Sequence, residues 1–252
     1  MSSQINFGYP WYLSYGHLAV LAIALSFLLF GYARKWKTAL MVLIGALTFW
    51  SFAAFLVARF GLVVNGRLPL PTQRFLESGK GRVLDMGAGT GRSSLMVLEA
   101  RPQTTVVALD LFAESYKQHF GSEQSGQERL LSNLKAAGLE HRATIETGDM
   151  RKLPFEAAEF DGIVSTYAID HLNRNGITAS LSEASRVLKP NGEFLLMVIT
   201  KDSWLKFAFG PLLLHSGTRS PAAWTSLLQA AGFQIVEQGT RPGTLYFLAR
   251  KS

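Results

Sequence analysis

Ten residues restrict the fold of this chain more than any others: Val83-Leu84-Asp85-Met86-Gly87-Ala88-Gly89-Thr90-Gly91-Arg92. Two apolar residues and an acid close a predicted strand. Three glycines at alternate positions form a turn, and Ser93–Ala100 reads as the helix that follows. A strand that runs through a glycine turn into a helix N-terminus is how α/β domains hold a nucleotide-like ligand. Without Cβ atoms, the turn lets a ligand approach the backbone closely. The spacing G-x-G-x-G differs from the G-x-G-x-x-G of dinucleotide folds, and no Gly-Lys-Ser/Thr follows, which argues against a P-loop. By itself such a turn has a second reading, as a purely structural one.

Further stretches decide between the two. Thr105-Val106-Val107-Ala108-Leu109-Asp110 is a second predicted strand ending in an acid, placed where a carboxylate accepts both hydroxyls of a ribose. Thr147-Gly148-Asp149-Met150, then Glu159–Tyr167, then Leu188-Lys189-Pro190-Asn191-Gly192 with Glu193–Met197 follow in order. This series resembles the class I S-adenosylmethionine (SAM)-dependent methyltransferases, and within them the small-molecule group that includes the ubiquinone/menaquinone-biosynthesis enzymes. The resemblance spans roughly residues 75–252. It implies SAM as cofactor and a role for each matching residue. The backbone of Gly87, Ala88 and Gly89 passes beside the methionine portion, and Gly91 allows the close turn. Asp85 orients the SAM ammonium, directly or through water. Asp110 binds the ribose hydroxyls with Leu111 beside the adenine. Asp149 accepts from the adenine amine with Met150 packed nearby; a turn acid or helix cap is the other reading of Asp149. Ser165 lies at the mouth of the site.

The expected fold is α/β: a Rossmann-like, mostly parallel seven-stranded sheet with helices on both faces, preceded by two transmembrane helices. Predicted strands cover 82–86, 105–110, 143–147, 160–166 and 193–200, with helices near 92–100, 126–138 and 176–188 between them. Ala222–Ala231 is a further helix. Gln234–Gly239 and Thr244–Arg250 form a hairpin that matches the antiparallel pair closing the sheet in the resembled family. The domain organisation follows: residues 1–60 as a membrane anchor, 61–79 as a linker with a short helix over Pro71–Ser78 covering the SAM site, and 80–252 as the methyltransferase domain. Phe112–Gly126 is longer and more polar than an ordinary connection, and reads as a solvated insertion or as a lid.

The anchor is read from hydropathy. The uncharged run from Trp11 to Ala33 has 23 residues, and that from Thr38 to Ala58 has 21. At about 1.5 Å per residue each crosses a hydrocarbon core of about 30 Å. Phe7, Tyr9, Trp11, Tyr12 and Tyr15, all within the uncharged residues 1–16, form an interfacial aromatic belt before and at the start of the first run. A shallow hairpin within one leaflet and a pair of buried helices are the alternatives. No basic segment precedes the first run and a second run follows it, so a cleaved signal peptide is not expected. Charge supports contact with anionic lipid. Residues 1–75 carry Arg34, Lys35, Lys37, Arg59, Arg67 and Arg74 and no acid, whereas the remainder carries 19 basic and 18 acidic side chains. A nucleic-acid binder places its basic excess on the folded domain, so nucleic acid is not an expected partner. Two spans return the chain to the same side, and a SAM-using domain belongs in the cytoplasm.

Methyl transfer from a sulfonium is an in-line displacement. The protein aligns the acceptor and excludes water, and needs no fixed triad. The proton acceptors available in the loop after the fourth strand are Tyr167, Asp170 and His171; the competing reading has Asp170 and His171 brace that loop. Ser165-Thr166-Tyr167-Ala168 replaces the proline-rich tetrapeptide of the DNA and glutamine methyltransferases, which counts against amino-group methylation of those targets. Ser203–Gly217, with Trp204, Leu205, Phe207, Phe209 and Leu212–Leu214, suits a lid for a lipophilic acceptor or a dip into the bilayer surface, or else ordinary packing. There are no cysteines and no clustered histidines, so no metal site is expected. A membrane-held methyltransferase acting on a lipophilic small molecule follows, with a protein acceptor or a non-catalytic SAM-binding protein as alternatives.

Overall fold

The computed structural model describes residues 4–113, 125–210 and 219–252. The chain divides into two compact units. One draws on residues up to Gly8, on Arg67–Thr200 and on the chain from Arg219 onward; the other on Tyr9–Gly66 and on residues from Lys201 to Gly210.

In the first unit seven strands form one mixed sheet: β1 (Lys80–Met86), β2 (Gln103–Asp110), β3 (Ala143–Thr147), β4 (Phe160–Thr166), β5 (Leu188–Ile199), β6 (Phe233–Arg241) and β7 (Thr244–Lys251). Their order is β3-β2-β1-β4-β5-β7-β6. β1 to β5 pair in parallel, whereas β7 runs antiparallel between β5 and β6. Near-continuous apolar runs such as Val106–Leu109 and Phe194–Val198 are buried, as expected for parallel strands covered on both faces. The covering helices are α3 (Arg92–Ala100), α4 (Gly126–Ala137), α5 (Arg174–Val187) and α7 (Pro221–Ala230). Local chemistry sets their ends. Ser125 and Glu128 form a reciprocal capping box at α4, and Gly138 ends it in the left-handed region at φ 68°. Asn173 caps α5, and Ser220 with Pro221 opens α7. Trp224, Phe160, Phe194 and Phe247 anchor the core.

Three expectations change. Pro71–Ser78 does not form a helix over the ligand site. Residues 73–78 make turns at the opposite, N-terminal ends of the strands. There Leu76 N donates to Glu193 of β5, and Arg101 Nε donates to Phe75 O. Gly162 leaves the space that Phe75 and Leu76 occupy. β5 also begins five residues before the expected position. Its Leu-Lys-Pro-Asn-Gly stretch bulges out between two pairings with β4, Phe160 with Leu188 and Gly162 with Glu193, and Asn191 takes φ 61°. Finally, the expected boundary at residue 60 does not match the compact units. Phe7 is 1% exposed, packed into the first unit rather than in a solvent- or lipid-facing belt. Most of Phe112–Gly126 lies outside the described residues, as do 211–218 of the expected lid.

The second unit is built on α1 (Trp11–Ala33) and α2 (Thr38–Leu56), the latter prolonged by a wide turn over Val57–Gly61. Both helices are long and apolar enough to cross a membrane, with mean hydropathies of 2.0 and 2.3 over their most apolar windows. Gly31 makes their junction possible, since a Cβ there would lie 2.7 Å from both Met41 and Trp36. A short helix, α6 (Ser203–Phe209), completes this unit. Asp202 caps it by accepting from Leu205 N at 2.9 Å.

Candidate active site

The site is built where β1, β2, β3 and β4 end. Asp85, the last acid of β1, is fully buried. Both its oxygens accept from Ser93 Oγ, at 2.8 and 2.7 Å, and one accepts from Ser94 Oγ at 2.6 Å. Burial pushes its carboxyl up to about 6, against the lowering effect of the two serines, and the nearby Asp110 adds to the rise. Asp85 therefore braces the first turn of α3 from below. Both of its oxygens are engaged by these serines.

The turn itself is internally saturated. Gly87 N and Ala88 N donate to Leu109 O at 2.8 and 3.0 Å, Gly91 N donates to Ala88 O, and Gly89 N donates to Asp110 Oδ2 at 2.9 Å. A phosphate cradle needs such N–H groups free. Here the N–H groups of Gly87, Ala88, Gly89 and Gly91 are committed, so they do not form an anion nest. Gly87 is required twice over. Its φ is 79°, and a Cβ would lie 2.4 Å from the Ala168 Cβ and 2.8 Å from the Met150 Cε. That crowding brings β1, the turn after β3 and the loop after β4 to one point, as the switch point of a doubly wound sheet requires.

Asp110 holds the next corner. Its other oxygen accepts from Phe112 N at 2.9 Å, while its backbone carbonyl accepts from Gly148 N. Leu111, between them, is 53% exposed, available to stack on a flat ring. Asp149 forms a forked ion pair with Arg151, which holds its carboxyl below the usual range. It also accepts from Arg151 N, and so behaves first as a turn acid.

On β4, Ser165 is fully buried, and its hydroxyl donates to Met86 O at 2.8 Å. It ties β4 to β1. Tyr167 sits at φ 53°, rare for a bulky residue; its N–H donates to Met197 O and its hydroxyl meets Thr244 Oγ1. Asp170 Oδ2 accepts from Ile199 N at 3.1 Å, whereas its Oδ1 is buried with no hydrogen-bond partner among the described residues, as is Thr166 Oγ1. Burial pushes the Asp170 carboxyl up, opposed by the Ile199 N–H and by the charges of His171 and Arg219. His171 is exposed on the short turn Ile169–His171. Among the described residues no cluster of His, Cys, Asp or Glu could hold a metal.

One element went unrecognised in the sequence. Asn133 of α4 exchanges two hydrogen bonds with Asn6 and donates to Thr90 O, while Thr90 Oγ1 donates to Phe7 O at 3.1 Å. The Arg92 guanidinium lies over the Phe7 ring. The chain's beginning thus fastens the outer side of the glycine turn. No local signal marks it, since its partners lie more than 80 residues away.

A seven-stranded sheet of this order, with a glycine turn and an acid at the ends of β1 and β2, is a Rossmann-like methyltransferase fold. Residues 83–192 match the family model described as a methyltransferase domain. The chain is 33% identical over 117 residues to the ubiquinone/menaquinone biosynthesis C-methyltransferase of Rhizobium leguminosarum, a match covering 46% of this chain and 40% of that protein. It is 28% identical over 178 residues to an uncharacterized methyltransferase of Synechocystis, covering 67% of this chain and 74% of the relative. The chain thus spans about two fifths of the quinone-biosynthesis relative it matches. Among solved structures, the fold is shared with a SAM-dependent methyltransferase from Methanosarcina mazei at TM-score 0.54 and 18% identity, covering 73% of this chain and 98% of that one. It is also shared with the 1,6-didemethyltoxoflavin-N1-methyltransferase of Burkholderia thailandensis, solved with S-adenosylhomocysteine, at TM-score 0.50 and 22% identity, covering 69% and 72%.

Proposed function

We propose that this chain transfers the methyl group of SAM to a lipophilic small molecule while α1 and α2 hold it in a membrane, with the methyltransferase domain on the cytoplasmic side. One observation carries the lipophilic part. Ile199, the last residue of β5, donates to Asp170, and three residues on Asp202 opens α6, which belongs to the compact unit of apolar helices. The chain that leaves β5, whose last residue bonds to the candidate catalytic loop, therefore runs on into α6. The names of the curated relatives, which concern quinone biosynthesis, point the same way. Residues before α1 and after α2 both belong to the methyltransferase unit, which supports a two-span hairpin with both ends on one side.

In this reading SAM supplies an electrophilic methyl on a sulfonium. Asp110 uses its remaining lone pairs for the ribose hydroxyls, Leu111 and Met150 flank the adenine, and Asp149 accepts from the adenine amine beside Arg151. Asp170 takes the proton from the acceptor on its unpartnered Oδ1. Burial raises its pKa above the ordinary carboxylate value, which makes it a stronger proton acceptor than a solvent-exposed aspartate. Tyr167 shapes the loop, and His171, exposed beside Asp170, tunes its charge.

The test is label transfer. Membranes containing the protein are incubated with methyl-tritiated SAM and a cell extract, and products are partitioned into organic, protein and aqueous fractions. The expected result is label in the organic fraction. Asp110→Ala abolishes it, because losing a charge-assisted hydrogen bond costs about 1.5–3 kcal/mol, roughly tenfold to a hundredfold in SAM affinity. Label confined to protein, or no transfer despite SAM binding, overturns the proposal.

A further inference from the structure

The helical unit carries two buried polar atoms that nothing in the described chain satisfies. Ser14 is 3% exposed and His17 7% exposed, and neither Ser14 Oγ nor His17 Nδ1 has a hydrogen-bond partner. They stand three residues apart on α1, hence on one face. In a helix of otherwise apolar side chains, each unmade hydrogen bond is costly, on the order of 1–3 kcal/mol.

The surroundings define what would satisfy them. His17 Nε2 lies 2.8 Å from Ala208 O on α6. A carbonyl only accepts, so Nε2 carries the proton, and in the neutral ring Nδ1 is left as an acceptor. Ser14 Oγ can donate. A hydroxyl meets both demands with one atom, donating to Nδ1 and accepting from Ser14; a carbonyl or an ammonium meets only one. The walls are aromatic. The imidazole centroid lies 5.8 Å from the Trp50 ring and 5.3 Å from Phe209. Trp50 is itself fixed, its indole N–H donating to Phe207 O. Flat rings pack favourably at such distances. Depth matters too. Ser14 and His17 lie about 4.5 and 9 Å along the helix from Trp11, at the end that bears exposed Trp11, Tyr12 and Tyr15. Aromatic side chains of that kind mark a membrane–water interface. This depth suits the polar head of an amphiphile whose tail lies along α1.

We infer that Ser14 and His17, with Trp50 and Phe209, form a binding site for the phenolic hydroxyl of a lipophilic molecule. The site is a property of the helical unit alone and goes beyond the proposed methyl transfer, which it neither requires nor establishes.

Equilibrium dialysis of the full chain in lipid nanodiscs, against empty nanodiscs, tests it with two tritiated probes. 4-Nonylphenol has the hydroxyl proton; 4-nonylanisole has the same shape without it. Saturable binding of the phenol is expected, at least tenfold tighter than that of the anisole. Ser14→Ala is expected to weaken phenol binding at least fivefold with SAM affinity unchanged, and His17→Phe to weaken it further. His17→Phe also removes the bond to Ala208; if it fails to fold, the anisole comparison and Ser14→Ala decide. Equal binding of the two probes, indifference to Ser14→Ala, or no saturable binding beyond lipid partition overturns the inference and leaves the pair to bound water. Methyl transfer assayed in the same nanodiscs keeps the two proposals apart: phenol binding without transfer sinks the proposed function alone, and transfer without phenol binding sinks this site alone.

Discussion

The two ends of the parallel strands differ in how their polar groups are treated. At the N-terminal end the charges are paired: Asp161 with Lys189 at 2.7 Å, Arg82 with Glu159 at 2.8 Å, and Glu193 with Arg250 at 3.0 Å. A cleft of about 350 Å³ lies among them, lined by Arg74, Glu77 and Asn191 as well as by members of those pairs. At the C-terminal end, buried polar groups are left unmet. Burial pushes the Asp85 carboxyl up, and among the described residues Asp170 Oδ1 and Thr166 Oγ1 lack partners, whereas left-handed backbone occurs at both ends, at Tyr167 as at Leu76 and Asn191. Unmet polar groups persist only where the surrounding structure or a ligand compensates for them. That contrast supports the site proposed at the C-terminal end.

The largest test of that contrast is Gly87→Ala. Left-handed backbone and a Cβ 2.4 Å from its neighbour cost together about 2–5 kcal/mol, enough to lower the melting temperature sharply and to abolish SAM binding in calorimetry. A variant with wild-type stability breaks the comparison. Next comes pH. The folded chain keeps the Asp85 proton up to about pH 6, whereas an unfolded chain releases it near 3.8, so this group's contribution to stability falls as pH rises through that window. Asp85→Asn removes the slope. Its stability relative to the parent protein should climb by about 3 kcal/mol between pH 3.5 and 7, read from denaturant melts at each pH. A flat difference refutes the placement of Asp85 as a buried, desolvated acid. The smallest effect is expected at the paired end. Lys189→Ala breaks an ion pair whose side chains are 44% and 36% exposed, and should cost under about 1 kcal/mol with SAM affinity unchanged. A larger loss would show that the paired end also supports the site.

Much of the site was legible because its signals are local. The glycine turn, the acid closing β2 and the apolar strand runs each depend on neighbours in sequence, and the structure has them in the expected order. The hairpin of β6 and β7 was legible for the same reason, with Pro242-Gly243 at its turn. The partner of Ser165 was not legible, because Met86 O comes from 79 residues away, whereas the Asp149–Arg151 pair is local and matches the turn-acid reading of Asp149. Pro71–Ser78 was expected as a helix over the ligand site, but the carboxylate that accepts from Leu76 N, Glu193, follows the bulge of β5 near the opposite end of the sheet.

By itself the sequence determined the layered α/β architecture, the glycine turn with its cofactor class, and two helices of membrane-spanning length, since periodicity, hydropathy and backbone freedom are properties of neighbouring residues. The tertiary structure alone decided which polar atoms are satisfied. It set Asn6–Phe7 against Thr90 and Asn133, buried Asp85 under two serines, and left Asp170, Ser14 and His17 each with an unmet polar atom. Hydrogen-bond satisfaction depends on atoms brought together from far apart in the chain, and no local pattern encodes it.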